Sequence, residues 1–158
     1  MTFNDFLQSL VREGTHILKD IDFRNKKNEL KQITGYSYEL PLTIVSAGWD
    51  AEEPEDEDRW FPYLVVQPAE IDYDEEMAKA KIWILLGCYD SSEKMDGWVN
   101  ITNAVERLAM RFRTNPVLED YYYCERKMKV AYPERGSYPY FFAGIEMTWH
   151  LPVLEPDL

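Results

Sequence analysis

The residues with the greatest chemical potential in this 158-residue chain are its carboxylates, two histidines and two cysteines. Seven acids, Asp50, Glu52, Glu53, Glu55, Asp56, Glu57 and Asp58, fall within the stretch DAEEPEDED. Carboxylates that converge in a cleft do acid–base chemistry or hold divalent cations. A calcium loop alternates its ligands and turns on a glycine, as in D-x-D-x-D-G, and neither feature occurs here. Neighbouring side chains of one loop diverge, and like charges repel. The stretch reads as a mobile, solvated acidic loop at 50–58, with no metal and no cofactor. His16 falls towards the polar side of the first helical segment, and His150 on the outer face of the last extended one. A nucleophile–base pair of Cys124 with His150 would need a shared face and a third group to orient the base. No such group is evident, and two ordinary strand residues are the better reading. The G-x-S-x-G elbow, the Walker loop, G-x-G-x-x-G and H-E-x-x-H are all absent. No catalytic residue is expected, and an enzyme is the weaker class. Cys88 and Cys124 sit in apolar runs without C-x-x-C spacing, which predicts reduced, buried small hydrophobes.

Charge narrows the partners. The net charge is −12, from 17 basic and 29 acidic side chains. Residues 1–48 balance at six each, whereas residues 49–80 hold 12 acids and two bases. Without a basic stripe, tight nucleic-acid binding through phosphates is not expected. The N-terminus MTFNDFLQSL lacks the basic and apolar regions of a signal peptide, and no apolar run approaches a membrane span. The expectation is a soluble cytosolic protein. Aromatic residues make up 15%, with 11 Tyr and five Trp, types that fill cores and also favour contact surfaces between proteins.

The elements that position these residues follow from periodicity. Ile82 to Leu86, extended through Gly87 to Tyr89, is an unbroken apolar run that predicts a strand buried on both faces. Asp96 is the expected N-cap of the helix behind it. Ile101, Val105, Leu108 and Phe112 fall on one stripe of that helix, with Glu106, Arg107 and Arg111 turned to water. Asn115-Pro116 stops it. An earlier helix over 2–19 places Phe3, Phe6, Leu7, Leu10, Val11, Ile17 and Leu18 on one face, with Thr2 and Asp5 as a capping pair. Residues 33–47 read as extended, with Leu40, Leu42, Ile44 and Val45 as apolar content and Pro41 at a strand start or an edge. Within WFPYLVVQ (60–67), residues 61–67 predict a strand ended by Pro68 and paired antiparallel with 80–89. Alternation over 121–131 puts Tyr122, Cys124, Arg126, Met128 and Val130 opposite Tyr123, Glu125, Lys127 and Lys129. PERGS at 133–137 is a turn, and 140–151 the longest strand, in which Gly144 marks a bulge or a close approach. Strands in runs around two helices predict an α+β fold. One domain over 1–158 is expected, with a largely antiparallel or mixed sheet and both helices packed on one face.

Four of these segments occur together in a suggestive order. They are FPYLVV (61–66), IWILLGCYD (82–90), GWVNI (97–101) opening a helix, and YPYFFAGIEMTW (138–149). Over Phe61 to Pro152 the chain resembles the tail terminator, or tail completion, proteins of long-tailed phages and prophages. The resemblance implies a small α+β virion subunit, assembled in the bacterial cytoplasm, that forms a ring (usually a hexamer) at the head-proximal end of the tail tube. There it would stop tube polymerisation and provide the head–tail joining surface. Its partners would be copies of itself, the tail tube protein and a head–tail connector protein, with no membrane contact. A ring needs two different patches on each subunit. The candidates are Trp60, Phe61, Tyr121, Tyr123, Tyr140 and Phe142, while the acidic loop from Asp50 to Asp58 would line the lumen and let DNA slide past. The alternatives are another head–tail connector or adaptor, an immunity-type protein for a basic partner, or a metal-assisted hydrolase using the loop carboxylates.

Overall fold

Thr2 opens the first helix, α1 (Phe3–Leu18), in a computed structural model that describes residues 1–40 and 60–152. The Thr2 hydroxyl accepts the Asp5 N–H at 3.2 Å, and the Asp5 carboxylate accepts the Thr2 N–H at 2.8 Å. Asp thus completes the capping box that Glu or Gln more often supplies. The backbone hydrogen bond from Thr2 holds the Asp5 carboxyl below its ordinary value. The acidic loop at 50–58, and Pro41, Leu42, Ile44 and Val45, lie outside the described residues.

The strands are β1 (Thr34–Ser37), β2 (Tyr63–Tyr73), β3 (Met77–Tyr89), β4 (Val117–Leu118), β5 (Tyr122–Cys124), β6 (Lys129–Ala131) and β7 (Tyr140–Pro152), with α2 (Asp96–Thr114) between β3 and β4. They form one sheet in the order β1-β2-β3-β7-β5-β4, with β6 also paired to β7. β1 runs parallel to β2, and every other pairing is antiparallel. The result is an α+β fold with a mixed sheet. Phe6, Leu7 and Leu10 of α1 and Ile101, Leu108 and Phe112 of α2 join Leu64, Ile82, Ile84, Ile145 and Trp149 of the sheet in one core. Both helices therefore cover the same face.

Several expectations change at this level. β3 alternates: Ala78, Ala80, Ile82, Ile84, Leu86 and Cys88 are buried, whereas Trp83 and Leu85 are half-buried on the face without helices. An unbroken apolar run here means one covered face and one apolar open face, not two covered ones. Pro68 does not end its strand. β2 continues to Tyr73 through a register shift between Pro68 and Glu70, where the missing N–H of proline is tolerated. The stretch 121–131 is two strands, because Cys124 pairs with Trp149 and Lys129 with Glu146, so five steps oppose three and the intervening residues loop out. Val130 still pairs with Ile145 but is exposed.

Asp96 lies inside the first turn of α2. The N-cap is Met95, in the left-handed region at φ 58°, and it contributes no side-chain cap. The Asp96 N–H donates to the Ser92 hydroxyl at 3.3 Å instead. Arg111 does not face water. Its Nε donates to Glu13 of α1 at 2.9 Å, and its other nitrogens reach the carbonyls of Asn115 and Val117, closing the helix C-terminus. Gly144 causes no bulge, since β7 keeps continuous register with β3.

Gly97, in the first turn of α2, lies directly against the buried ring of Phe141, so a Cβ would run into that ring. Gly136, in the β6–β7 connection, has nothing within 4 Å of the same position. Gly97→Ala is expected to lose about 1–3 kcal/mol of stability, the usual range for overpacking, and Gly136→Ala less than about 0.5 kcal/mol. Denaturant unfolding of the two variants side by side checks the difference.

Candidate functional site: the helix-free face of the sheet

Outward positions of β2, β3 and β7 line up in rows across the open face. Tyr63, Gly87 and Phe142 form one row, Val65, Leu85, Gly144 and Ala131 the next, and Gln67, Trp83, Glu146 and Lys129 a third. The two glycines shape this surface. The Tyr63 ring lies on Gly87, and Leu85 and Trp83 come within 3.2 Å of where a Gly144 Cβ would stand. Large side chains lie down over small neighbours, giving a flat apolar layer.

Aromatic rings extend that layer beyond the first row. Phe61 contacts Tyr63, Tyr140 and Phe142, with ring centroids 5.1, 4.8 and 5.9 Å apart. Tyr140 meets Tyr89 at 5.6 Å, and Trp60 meets Tyr36 at 6.0 Å. Tilted and edge-on pairs of this kind add about 0.5–1.5 kcal/mol each beyond area burial. All of these rings are only half-buried. Burial raises the Tyr63 hydroxyl to about 12, with Cys88 adding to the shift.

Towards the other end the same face becomes ionic. Lys81 lies 3.5 Å from Glu70 and 3.9 Å from Glu146, and Lys79 is 3.6 Å from Glu125. His150 Nε2 lies 3.5 Å from the same Glu125 oxygen. Such exposed pairs contribute only about 0–1 kcal/mol each. They border the apolar end on one side rather than anchor the fold.

Four of the six candidate contact residues, Trp60, Phe61, Tyr140 and Phe142, fall in or beside this aromatic end. The other two do not. Tyr123 pairs with His150, eight residues along β7 from Phe142, which is roughly 26 Å at strand spacing. Tyr121 stacks edge-on with Tyr122. Tyr36, Tyr63, Trp83 and Tyr89 belong to the face as well, beyond the six candidates. Alternation in FPYLVVQ already opposes Tyr63 to Leu64, so that residue had a signal. Trp83 was hidden by the unbroken apolar run, and Tyr36 and Tyr89 arrive through tertiary placement alone.

The titratable candidates do not converge. Cys124 points into the core, donating to the Glu125 carbonyl at 3.3 Å, while His150 lies on the opposite face. Burial pushes the Cys124 thiol up to about 12, with Glu125 adding to the shift. Cys88 is pushed to about 12 in the same way, with Asp90 adding, and its thiol faces the Gly97 carbonyl at 3.8 Å. His16 is exposed on α1. Among the described residues no group of three or more His, Cys, Asp and Glu side chains is arranged to hold a metal ion. Among them, too, no helix is long and apolar enough to cross a membrane. A hollow of about 700 Å³ is an open groove bordered by Asp22, Arg24, Tyr89, Asp90, Asp96 and Asn100. Its acids come from three separate segments around the start of α2.

The chain matches no family model and no curated protein sequence.

Thiols near 12 are almost wholly protonated at pH 8, with about one in ten thousand ionised, and both sulfurs are buried. The native protein is expected to resist iodoacetamide at pH 8, with both cysteines alkylating together once guanidinium unfolds it. Intact mass spectrometry checks this, and rapid labelling of one cysteine in the native state would contradict the placement.

Proposed function

We propose that this chain is a structural subunit of a phage or prophage virion, a tail terminator. In this reading copies of the chain form a ring at the head-proximal end of the tail tube, stop its polymerisation and present the surface to which the head joins. The observation that carries the reading is the helix-free face, where rings around Phe61, Tyr140 and Phe142 remain half-open in the isolated chain. Tyr, Trp and Phe packed into a flat layer and bordered by charge is the composition of a protein contact surface. The resemblance of the segments within Phe61–Pro152 supplies the kind of assembly. A surface of this type works by being covered, which suits a protein whose task is to end a polymer.

The aromatic end is assigned to the axial contact with the tube. A second reading, a head–tail connector or adaptor, would use the same face against a different neighbour. Polymerising tail tube protein from the same phage or prophage separates the two. Under the terminator reading the added chain shortens the tubes and is found at one end of each by electron microscopy. Phe142→Glu is expected to weaken that capping by roughly thirtyfold, the loss of one anchoring aromatic of about 2 kcal/mol. Tubes of unchanged length, with the chain bound only to connector rings, would favour the adaptor reading.

A further inference from the structure

The β2–β3 hairpin ends in an acidic turn. Glu70, Asp72, Asp74, Glu75 and Glu76 fall within seven residues, with no base from 68 to 78. The Asp74 carboxylate accepts the N–H groups of Glu76 at 2.8 Å and Met77 at 2.9 Å, which fixes the turn and lowers the Asp74 pKa. Glu70 is engaged by Lys81. Asp72, Glu75 and Glu76 have no ion pair among the described residues. Beside them Tyr73 is 69% exposed and Met77 42% exposed.

A separate groove has complementary chemistry. It has a volume of about 520 Å³ and lies between the last turns of α2 and the β5–β6 connection, lined by Glu106, Ala109, Met110, Arg113, Thr114 and Arg126. Met110 is 67% exposed, an apolar floor open to water. Arg113 and Arg126 stand at its sides and form no ion pair or hydrogen bond among the described residues. Arg107 and Lys127 lie exposed nearby in the sequence.

Within one chain no ion pair or hydrogen bond joins the turn acids to Arg113 or Arg126 among the described residues, and β7 lies between β3 and β5. We infer that the acidic β2–β3 turn of one copy docks into the Met110–Arg113–Arg126 groove of the next. Tyr73 then covers Met110, its ring is available to a guanidinium, and Asp72, Glu75 and Glu76 face Arg113 and Arg126. Because the two patches are different, the contact is head-to-tail and propagates around a ring. The inference rests on the ring reading above and names its lateral contact, distinct from the axial aromatic face.

Charge exchange tests it with two variants of the whole chain. One reverses the turn (Asp72→Lys, Glu75→Lys, Glu76→Lys), leaving Asp74 in place, and the other reverses the groove (Arg113→Glu, Arg126→Glu). All five positions are exposed, and circular dichroism confirms that each variant folds. Sedimentation of each variant alone is expected to show self-association weakened at least tenfold relative to the wild type. An equimolar mixture should regain the wild-type mass, since every junction then joins opposite charges. Variants that assemble like the wild type, or a mixture that stays dissociated, would overturn the inference while leaving the ring reading in place. A wild type that stays monomeric even on tube ends would overturn both.

Discussion

Trp149 is the contact on which the rest of the structure depends. It stands at the inner face of β7, with Phe6 of α1 at 5.3 Å and Phe112 of α2 at 5.1 Å between ring centroids. Phe6 in turn meets Tyr122 of β5 at 5.0 Å. One indole therefore joins both helices to the sheet centre. Its N–H finds no acceptor among the described residues, a cost of about 1–3 kcal/mol that burial of the surrounding rings must offset. The Arg111–Glu13 bridge adds a polar tie between the same two helices at the edge of this cluster.

Placing both helices on one face has a direct consequence for function. Strands that alternate must send every second side chain the other way, and β2, β3 and β7 send aromatic and aliphatic residues there. Gly87 and Gly144 let those residues lie flat instead of standing out from the sheet. The packed core on the covered face and the half-buried aromatic layer on the open face are thus two outputs of the same alternation. The polar resources follow the same division: ion pairs occupy the far end of the open face, and charge without an ion pair among the described residues collects on the β2–β3 turn and around the groove beside α2.

Much of this was legible in the sequence, and the losses have physical causes. The stripe Ile101, Val105, Leu108 and Phe112 and the face of α1 declared both helices, because apolar residues spaced at a 3.6-residue period share a face only when the backbone is helical. β7 was equally plain from strict alternation over 140–151. The Ile82–Leu86 run was misread because apolar residues on an open contact face look like core to any periodicity argument. The capping of α2 was missed because Met95 in a left-handed conformation leaves no side-chain signature. Arg111 was misplaced because a helical wheel does not show a neighbouring helix. The aromatic site was half visible: Trp60, Phe61, Tyr140 and Phe142 were picked out, while Tyr36 and Tyr89 needed strand order to bring them there.

The central claim is that this chain acts as an assembled ring and not as a lone subunit. Its most direct test is the mass of the wild-type protein by light scattering behind a sizing column, at low and high concentration, with and without tail tube ends. A discrete species of roughly six subunits, closed as a heterologous ring should be, is the predicted result. A strict monomer under every one of those conditions would contradict it.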